Sequence, residues 1–353
     1  MSTSLVSPDA GTRGSLTAAD IASVPQAVIE QIRSARRVMT VCHRDPEPDA
    51  LGSALGMTLI VEALGAVATP VCADPVPEAF AFLPRMDRFR RGPDPAVDYD
   101  LIVVGDCGEL PRVGSVLIDN AELFARVPIV NIDHHKSNVG FGAVDWIDAG
   151  AAATCEMVTL TAAALGVPID AYEGDLATQL MAGVVIDTAN FQHPNTTART
   201  LRVAAELVAA GAPLSDIARR LYRTKPNAQL RLFGRILGRL ESGLEGRLVW
   251  STLERADHEA TASPPEYSEG IVDLLGQSSS AEVAILFKEM GPVTRLSVRT
   301  RDNGVDATVL TGRWGGGGHA RAAGATLQLP VSEARPVVLA EATRLIQVLG
   351  STE

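Results

Sequence analysis

The sequence predicts an α/β fold of two domains: an N-terminal, mostly parallel sheet with helices on both faces, and a smaller C-terminal α/β domain across a cleft. In the first half, short β-branched runs alternate with longer Ala/Leu-rich stretches, which is typical of a parallel sheet covered by helices. An Arg-studded helical stretch interrupted at Pro226 separates this half from the rest. The 353 residues, 46% of them hydrophobic, are enough for two sizeable cores.

The N-terminal domain is expected to span residues 21–215. Apolar β-branched runs indicate its strands, and apolar residues at helical spacing indicate its helices, with Gly211 as a stop signal. The predicted strands are 37–42, 66–72, 100–105 and 127–132, and the predicted helices are 51–64, 151–165, 176–186 and 197–210. Residues 1–20 are rich in Ser, Thr, Ala and Gly and lack the features of a signal peptide, so we expect a disordered tail.

The remainder of the chain is divided into a linker and a second domain. Residues 216–244 are predicted to form a helical linker, and residues 245–353 the smaller domain. Within that domain we expect strands at 246–253, 282–288, 293–300 and 325–329, and helices at 305–314 and 331–349.

Charge and cysteine content limit the classes of partner. The formal net charge of −11 argues against binding along duplex nucleic acid, which requires a broad basic surface. Lysine occurs only at Lys136, Lys225 and Lys288, so nearly all of the positive charge is arginine. A local group of arginines is sufficient to bind a short anionic ligand. The four cysteines form no CxxC pair, which favours a reducing cytoplasm, and no membrane partner is expected.

Acidic residues and histidines follow several of the predicted apolar runs. Because ligands bind open α/β sheets at the carboxyl ends of their strands, these side chains are expected to meet at one edge. The residues are His43, Glu47, Asp49, Asp106, His134, His135 and Asp187. Singly, Asp49 and Asp106 are also explained as a helix cap and a turn residue. Together, seven such groups suit two Mn²⁺ or Mg²⁺ ions, which would promote phosphoester hydrolysis.

Two features of the second domain indicate phosphate binding. The Gly-rich tract contains Gly316, Gly317, Gly318, His319 and Arg321. Its consecutive N–H groups are expected to form an anion-binding concavity, the alternative being a flexible linker. The strand period places Arg295, Ser297, Arg299 and Arg301 on one face, which is either a phosphate-binding surface or a solvated sheet edge.

These motifs resemble those of the DHH phosphoesterase superfamily, in particular the nanoRNase/pAp phosphatase branch with a C-terminal DHH-associated domain. Residues 43–53 are similar to the first motif, Asp106 to the second, Asp133-His134-His135 to the third and Asp187-Thr188 to the fourth. Residues 315–324 are similar to the terminal Gly-rich motif. The motifs stand in the family's order, and the resemblance covers nearly the whole chain beyond the first twenty residues.

The resemblance implies roles for individual residues. His43, Glu47 and Asp106 would hold one Mn²⁺, and Asp49, Asp106, His134 and Asp187 the other, so that Asp106 bridges the two ions. His135 would face the scissile phosphate and Asp133 would orient its neighbours; with Asp106, these are the expected catalytic residues. Arg299, His319 and the glycine backbone would bind the substrate across the cleft, and we add Arg295, Ser297 and Arg321 as candidates.

One position departs from the family pattern. Where the family has Asp four residues after its His, this chain has Glu47, and it has an additional Asp45. Either carboxylate could serve as the ligand. We predict that Glu47→Ala weakens Mn²⁺ binding and Asp45→Ala does not.

The expected function is that of a cytoplasmic, Mn²⁺-dependent and homodimeric enzyme. It would hydrolyse very short oligoribonucleotides (nanoRNA) to mononucleotides and adenosine 3′,5′-bisphosphate (pAp) to AMP. The alternative closest to this is cleavage of c-di-AMP or of the linear dinucleotide pApA. Inorganic pyrophosphatase and a non-catalytic nucleotide sensor are further alternatives, whereas a RecJ-like exonuclease would need an additional oligonucleotide-binding domain.

Overall fold

The structure is a computed structural model that describes residues 15–301 and 304–350. The chain divides into two compact units, and the division falls between Thr224 and Lys225. Among the described helices, none has the length and apolarity that a membrane span requires.

Unit one is built on a five-stranded, fully parallel sheet, which confirms the predicted fold class. The strands lie in the order β2-β1-β3-β4-β5. Their bounds are β1 Arg37–Val41, β2 Val67–Val71, β3 Leu101–Gly105, β4 Ile129–Asp133 and β5 Val144–Ile147. The prediction missed β5, a four-residue edge strand in which only Trp146 is buried, because so short a run carries little apolar signal.

Helices cover this sheet on both faces. They are α1 Ala18–Ala22, α2 Gln26–Ser34, α3 Pro48–Ala63, α4 Ser115–Asp119, α5 Ala121–Arg126, α6 Thr154–Leu165, α7 Asp175–Asp187, α8 Ala198–Ala209 and α9 Leu214–Ala218. A π-helical turn, Arg219–Arg223, follows α9. The four predicted helices of this domain are therefore confirmed, and the short helices α1, α2, α4 and α5 were missed.

Helix α3 is central to unit one, because its residues from Pro48 to Val61 are all buried. Two glycines allow α3, α6 and α7 to pack closely. A Cβ atom on Gly52 would collide with the backbone of Gln179, and one on Gly183 would collide with Cys155 and Asp49. This packing brings the first turn of α3 against the beginning of α6 and the end of α7, where candidate ligands lie.

The predicted disordered tail at 1–20 is corrected at its C-terminal end. Residues 1–14 lie outside the described residues, but Ala18–Ala22 form helix α1. Thr17 and Asp20 cap this helix reciprocally, and Asp20 is buried in a bidentate ion pair with Arg202 on α8. The partner lies 182 residues away, so composition could not reveal it.

Unit two contains a six-stranded mixed sheet of order β10-β11-β9-β8-β7-β6. The strands are β6 Glu241–Gly243, β7 Leu248–Leu253, β8 Val283–Met290, β9 Val293–Thr300, β10 Gly317–His319 and β11 Ala322–Leu327. The helices are α10 Asn227–Leu237, α11 Arg255–Thr261, α12 Ile271–Gly276, α13 Ala307–Gly312 and α14 Val331–Gly350. The predicted strands and both predicted helices are present, whereas β6, β10, α11 and α12 were not foreseen.

Each face of this second sheet has its own apolar core. Val283, Ile285 and Phe287 pack with α13 and α14, while the alternating residues Ala284 and Leu286 pack with α10 and α12. Helix α10 lies within the predicted linker 216–244, yet Leu232, Phe233 and Ile236 are part of the second core. The predicted linker therefore contributes a structural helix to unit two.

Candidate active site

The candidate ligands of unit one lie at one edge of its sheet. His43 follows β1 by two residues, Asp106 follows β3 directly, and Asp133 is the last residue of β4. Since these strands are parallel neighbours, their carboxyl ends lie side by side. Asp49 joins them from the first turn of α3 and Asp187 from the last residue of α7. The structure thus brings together the six predicted ligands, His135 and Asp133.

The first group of donors consists of His43, Glu47 and Asp106. The Nε2 atom of His43 lies 3.5 Å from Oδ2 of Asp106 and 3.6 Å from Oε2 of Glu47. The Nδ1 atom of His43 bonds the carbonyl oxygen of Arg44 at 2.7 Å, which leaves Nε2 facing the two carboxylates. Asp45 is exposed and is not in this group; its backbone N–H donates to Asp74. The geometry therefore favours Glu47 over Asp45 as the ligand.

A second group is formed by Asp49, His134 and Asp187. The Nε2 atom of His134 lies 3.1 Å from Oδ2 of Asp187, 3.5 Å from Oδ1 of Asp106 and 4.0 Å from Oδ2 of Asp49. Asp106 thus presents one oxygen to each group, Oδ2 to His43 and Oδ1 to His134. This is the arrangement that a bridging carboxylate requires.

His135 and Asp133 form a pair next to these groups. The Nδ1 atom of His135 lies 2.7 Å from Oδ1 of Asp133, which is fully buried. The other Asp133 oxygen accepts a 2.6 Å hydrogen bond from the side chain of Asn138. Both oxygens of Asp133 are therefore held by hydrogen bonds, and Asp133 fixes the ring of His135. The protonated nitrogen of His135 faces Asp133, and its other nitrogen is available to a substrate.

The electrostatics of the cluster reflect crowded carboxylates. Burial, and then the charge of Asp106, raise the pKa of Glu47 to about 8. Burial and the charges of Asp187 and Asp106 raise the pKa of Asp49 well above its usual value. Burial opposes protonation of His134, but its hydrogen bond to Asp187 and the charges of Asp49, Asp106 and Asp187 together outweigh this and raise its pKa to about 10. The cluster therefore has an excess of negative charge that a cation would relieve.

Three supporting side chains were missed by sequence reasoning. The hydroxyl of Thr154 donates to Oδ1 of Asp106 at 3.1 Å, and Asn138 holds Asp133. The hydroxyl of Tyr222 donates to the carbonyls of Val185 and Ile186, at 3.1 and 3.2 Å, in the last turn before Asp187. None of these residues carries a local signal, because each lies beside its partner only after the helices and loops have packed.

The backbone at the first turn of α6 also supports the cluster. The N–H groups of Thr154 and Cys155 donate to the two oxygens of Asp49 at 2.7 and 2.8 Å. A helix N-terminus favours a carboxylate at this position. The same contact orients Asp49 toward His134.

The donor set fits a hard divalent cation. A third group consists of Asp106, His134 and His135, so the three donor groups together offer four carboxylates and three imidazoles and include no described cysteine. A donor set rich in carboxylate oxygen and without sulfur suits Mn²⁺ or Mg²⁺ better than Zn²⁺, which favours nitrogen and sulfur donors. Within each group the donor atoms lie within 4.8 Å of one another. The residues of unit one therefore have the composition and spacing of a metal site with a shared aspartate.

The predicted substrate-binding residues of unit two lie largely on one face of its sheet. Register pairs His319 with Ala322 and Ala322 with Arg299, and it pairs Gly317 with Gly324 and Gly324 with Ser297. Laterally paired residues point to the same side of an antiparallel sheet. Arg299, Ser297 and His319 therefore share the face on which α12 packs, together with Arg295 farther along β9. This set is called the β9 face below.

The Gly-rich tract differs from its prediction. Residues Gly317–His319 form an edge strand paired with β11, so successive N–H groups alternate in direction and the expected concavity is wrong for these residues. A Cβ atom on Gly316 or Gly318 would collide with β11, whereas the position of Gly317 is open. Close strand packing therefore explains Gly316 and Gly318, while Gly317 leaves space on the β9 face.

Arg321 has a different environment from the other candidates. Its guanidinium donates to the hydroxyl of Thr300 and the carbonyl of Val305, each at 3.3 Å, and to the carbonyl of Arg301. These contacts favour a structural role in the loop that follows β9. Its predicted role in substrate binding stays a prediction.

Comparison with known proteins accords with this geometry. Residues 37–184 match the N-terminal domain of the DHH family, and residues 261–348 match the DHHA1 domain. The bifunctional oligoribonuclease and PAP phosphatase NrnA of Thermus thermophilus is 34% identical over 286 residues, or 81% of this chain and 82% of that protein. The chain belongs to the DHH family. Four of its five motif regions lie within these two ranges, and Asp187-Thr188 begins three residues after the first range ends.

Two further similarities extend this DHH-family assignment. The cyclic-di-AMP phosphodiesterase PdeA of Listeria monocytogenes is 24% identical over 91% of this chain and 48% of that protein. A crystal structure of an exopolyphosphatase-related protein from Bacteroides fragilis superposes with a TM-score of 0.83, covering 95% of this chain and all of that one. At 19% identity the latter similarity shows a common fold.

Proposed function

We propose that this protein is a phosphoesterase that uses two Mn²⁺ ions to hydrolyse very short oligoribonucleotides to mononucleotides and pAp to AMP. The observation that carries the proposal is the shared carboxylate of Asp106, with one oxygen near His43 and the other near His134. Two metals bridged by one carboxylate suit the hydrolysis of phosphate esters. The similarity to the Thermus oligoribonuclease and PAP phosphatase supports the substrate class.

The protein's own groups have distinct tasks in this proposal. His43, Glu47 and Asp106 would hold one ion, and Asp49, Asp106, His134 and Asp187 the other. When bound, such ions lower the pKa of a coordinated water and stabilise charge on the phosphate oxygens. Asp133 fixes the His135 ring through the 2.7 Å contact, so that the free ring nitrogen can donate to the scissile phosphate when protonated.

The β9 face would bind the part of the substrate that does not react. Arg299 and His319 share this face with Ser297 and with the open backbone at Gly317. A guanidinium and an imidazole beside exposed backbone suit a phosphate group. Arg299 is now paired with Asp273 at 2.6 Å, so binding would exchange this half-exposed partner for the substrate.

A panel of four substrates tests the proposal. Turnover in Mn²⁺ is measured for pAp, pApA, a longer single-stranded RNA and c-di-AMP. We expect fast release of AMP from pAp and pApA and slow cleavage of the longer RNA. Rapid hydrolysis of pyrophosphate without activity on pApA would contradict the proposal in favour of a pyrophosphatase.

Cleavage of c-di-AMP is the second candidate function. It is favoured by the similarity to the Listeria phosphodiesterase, which extends over 91% of this chain. In the same panel, faster turnover of c-di-AMP than of pApA would make it the leading function. A nucleotide sensor is the non-catalytic candidate, and it would be supported if wild type and Asp106→Asn bound nucleotide with equally negligible hydrolysis.

The first metal position is tested by titration. Glu47→Ala is expected to weaken Mn²⁺ binding, because Glu47 lies 3.6 Å from Nε2 of His43. Asp45→Ala is the matched control, since Asp45 is exposed and outside the donor groups. The reverse order of affinities would reassign the ligand, and a parallel titration with Mg²⁺ establishes the metal preference.

Two broader expectations accompany this function. The four described cysteines are all buried free thiols, which supports a cytoplasmic location. A homodimer is expected from the family resemblance. Light scattering on the purified protein tests the oligomeric state.

A further inference from the structure

A second positive site lies on the β9 face, at the opposite end from Arg299. Register pairs Lys288 on β8 directly with Arg295 on β9, so the two side chains point to the same side of the sheet. Arg295 and Arg299 are four positions apart, which corresponds to about 13 Å along an extended strand. The β9 face is therefore long enough for two separate anions.

Among the described residues no carboxylate forms an ion pair with Lys288 or Arg295, although the charge of Glu269 acts on Lys288 and favours its protonated form. Arg295 is exposed, and within residues 15–301 and 304–350 its guanidinium has no hydrogen-bond or ion-pair partner. Lys288 is half-buried, and its ammonium donates to the hydroxyl of Ser268 at 3.2 Å. Burial, together with the charge of Arg295, lowers the pKa of Lys288.

Two like charges placed directly opposite across a strand pair are unfavourable. Arg299, at the other end of the face, has the carboxylate of Asp273 at 2.6 Å, whereas the ammonium of Lys288 donates only to a hydroxyl. An anion at this point would bind to both cations and offset their repulsion. The local chemistry of this end of the sheet is thus that of a phosphate site.

We propose that Lys288 and Arg295 form a second phosphate subsite, which binds an additional phosphate group of substrates longer than a dinucleotide. The inference rests on the proposed function, in which Arg299 and His319 bind one phosphate group that does not react. Both pAp and pApA carry a single non-reacting phosphate and would leave this subsite unused. A 5′-phosphorylated trinucleotide carries two and would occupy it.

The test compares KM for pAp, pApA and pApApA in wild type and in Lys288→Met. We expect KM for pApApA to rise about tenfold, because a hydrogen-bonded charge pair is lost, while KM for pAp and pApA changes less than twofold. Lys288→Arg should retain the wild-type KM for pApApA. Arg335→Met is the matched control, because Arg335 lies on α14, against the opposite face of the sheet, and pairs with Glu241.

The possible results separate the two proposals. No hydrolysis of any of the three substrates by wild type would contradict the proposed function, and the subsite with it. If wild type hydrolyses all three substrates and Lys288→Met changes their KM values equally, or changes none of them, the subsite alone is overturned. Melting curves of Lys288→Met and Lys288→Arg show whether a rise in KM comes from misfolding. The subsite is supported if Lys288→Met is well folded and raises KM for pApApA while Lys288→Arg retains the wild-type KM.

Discussion

Buried carboxylates occur in two kinds of surroundings in this protein. Glu156 and Asp257 are fully buried, and each is paired with arginine. Arg199 lies 2.5 Å from Glu156, and Arg235 lies 2.7 Å from Asp257, which also pairs with Arg239. In the candidate metal site, by contrast, the carboxylates face other carboxylates and histidines.

The pKa values of the two regions differ accordingly. Burial opposes ionisation of Asp257, but its hydrogen bonds to Arg239 and Arg235 outweigh this and hold its pKa below the usual range. For Asp49 and Glu47, burial and neighbouring carboxylates act together and raise the pKa. The structural carboxylates are therefore neutralised by arginines within the chain, whereas Asp49 and Glu47 are left for a cation to neutralise.

Asp106→Asn should produce the largest effect, because it removes the charge shared by both donor groups. Even residues that only orient metal ligands cost 10–100-fold, so we expect the turnover of pApA to fall by more than about 100-fold. Burial opposes ionisation of Asp106, but the hydrogen bond from His43 and the charges of the neighbouring histidines together hold its pKa below the usual range, so the metal-free variant should melt below wild type. An unchanged or higher melting temperature of metal-free Asp106→Asn would contradict this account of the cluster.

Metal addition should separate the two regions by stability. At a Mn²⁺ concentration 100 times its dissociation constant, we expect the free energy of unfolding of wild type to rise by about 2.7 kcal/mol. Chelation should reverse this gain, and Asp106→Asn should show little of it. Denaturant unfolding with and without Mn²⁺ is the measurement, and an equal gain in wild type and Asp106→Asn would place the bound metal elsewhere.

Asp257→Asn should have the smallest effect of the three. It removes the buried carboxylate that Arg235 and Arg239 share and leaves Arg239 with Glu254 at 3.9 Å, and we expect a loss of about 2 kcal/mol in the free energy of unfolding, independent of Mn²⁺. Because the pKa of Asp257 is lowered in the fold, the stabilisation is present above the usual Asp pKa near 4 and is lost as the pH falls below it. Wild type and variant should therefore converge in stability under acid conditions, and a metal-dependent difference would contradict the separation of the two regions.

Local patterns were sufficient for much of the fold. The β-branched runs that became β1, β3 and β4 are fully buried or nearly so, which makes their apolar signal strong. Strand β5 and edge strand β10 were missed because they are short and exposed. Gly316 and Gly318 were predicted to belong to an anion-binding concavity. The sequence does not reveal that the neighbouring strand leaves no room for a Cβ atom at these two positions.

The sequence by itself determined which chemical groups end the strands, and hence that acids and histidines meet at one sheet edge. Only the tertiary structure decided how they are held, because the contacts of Asp49 with α6, of Thr154 with Asp106 and of Tyr222 with α7 join residues 36 to 106 positions apart. The same applies to Lys288, whose place beside Arg295 depends on strand register. Residue identity is local information, whereas packing and register arise from contacts distributed over the whole chain.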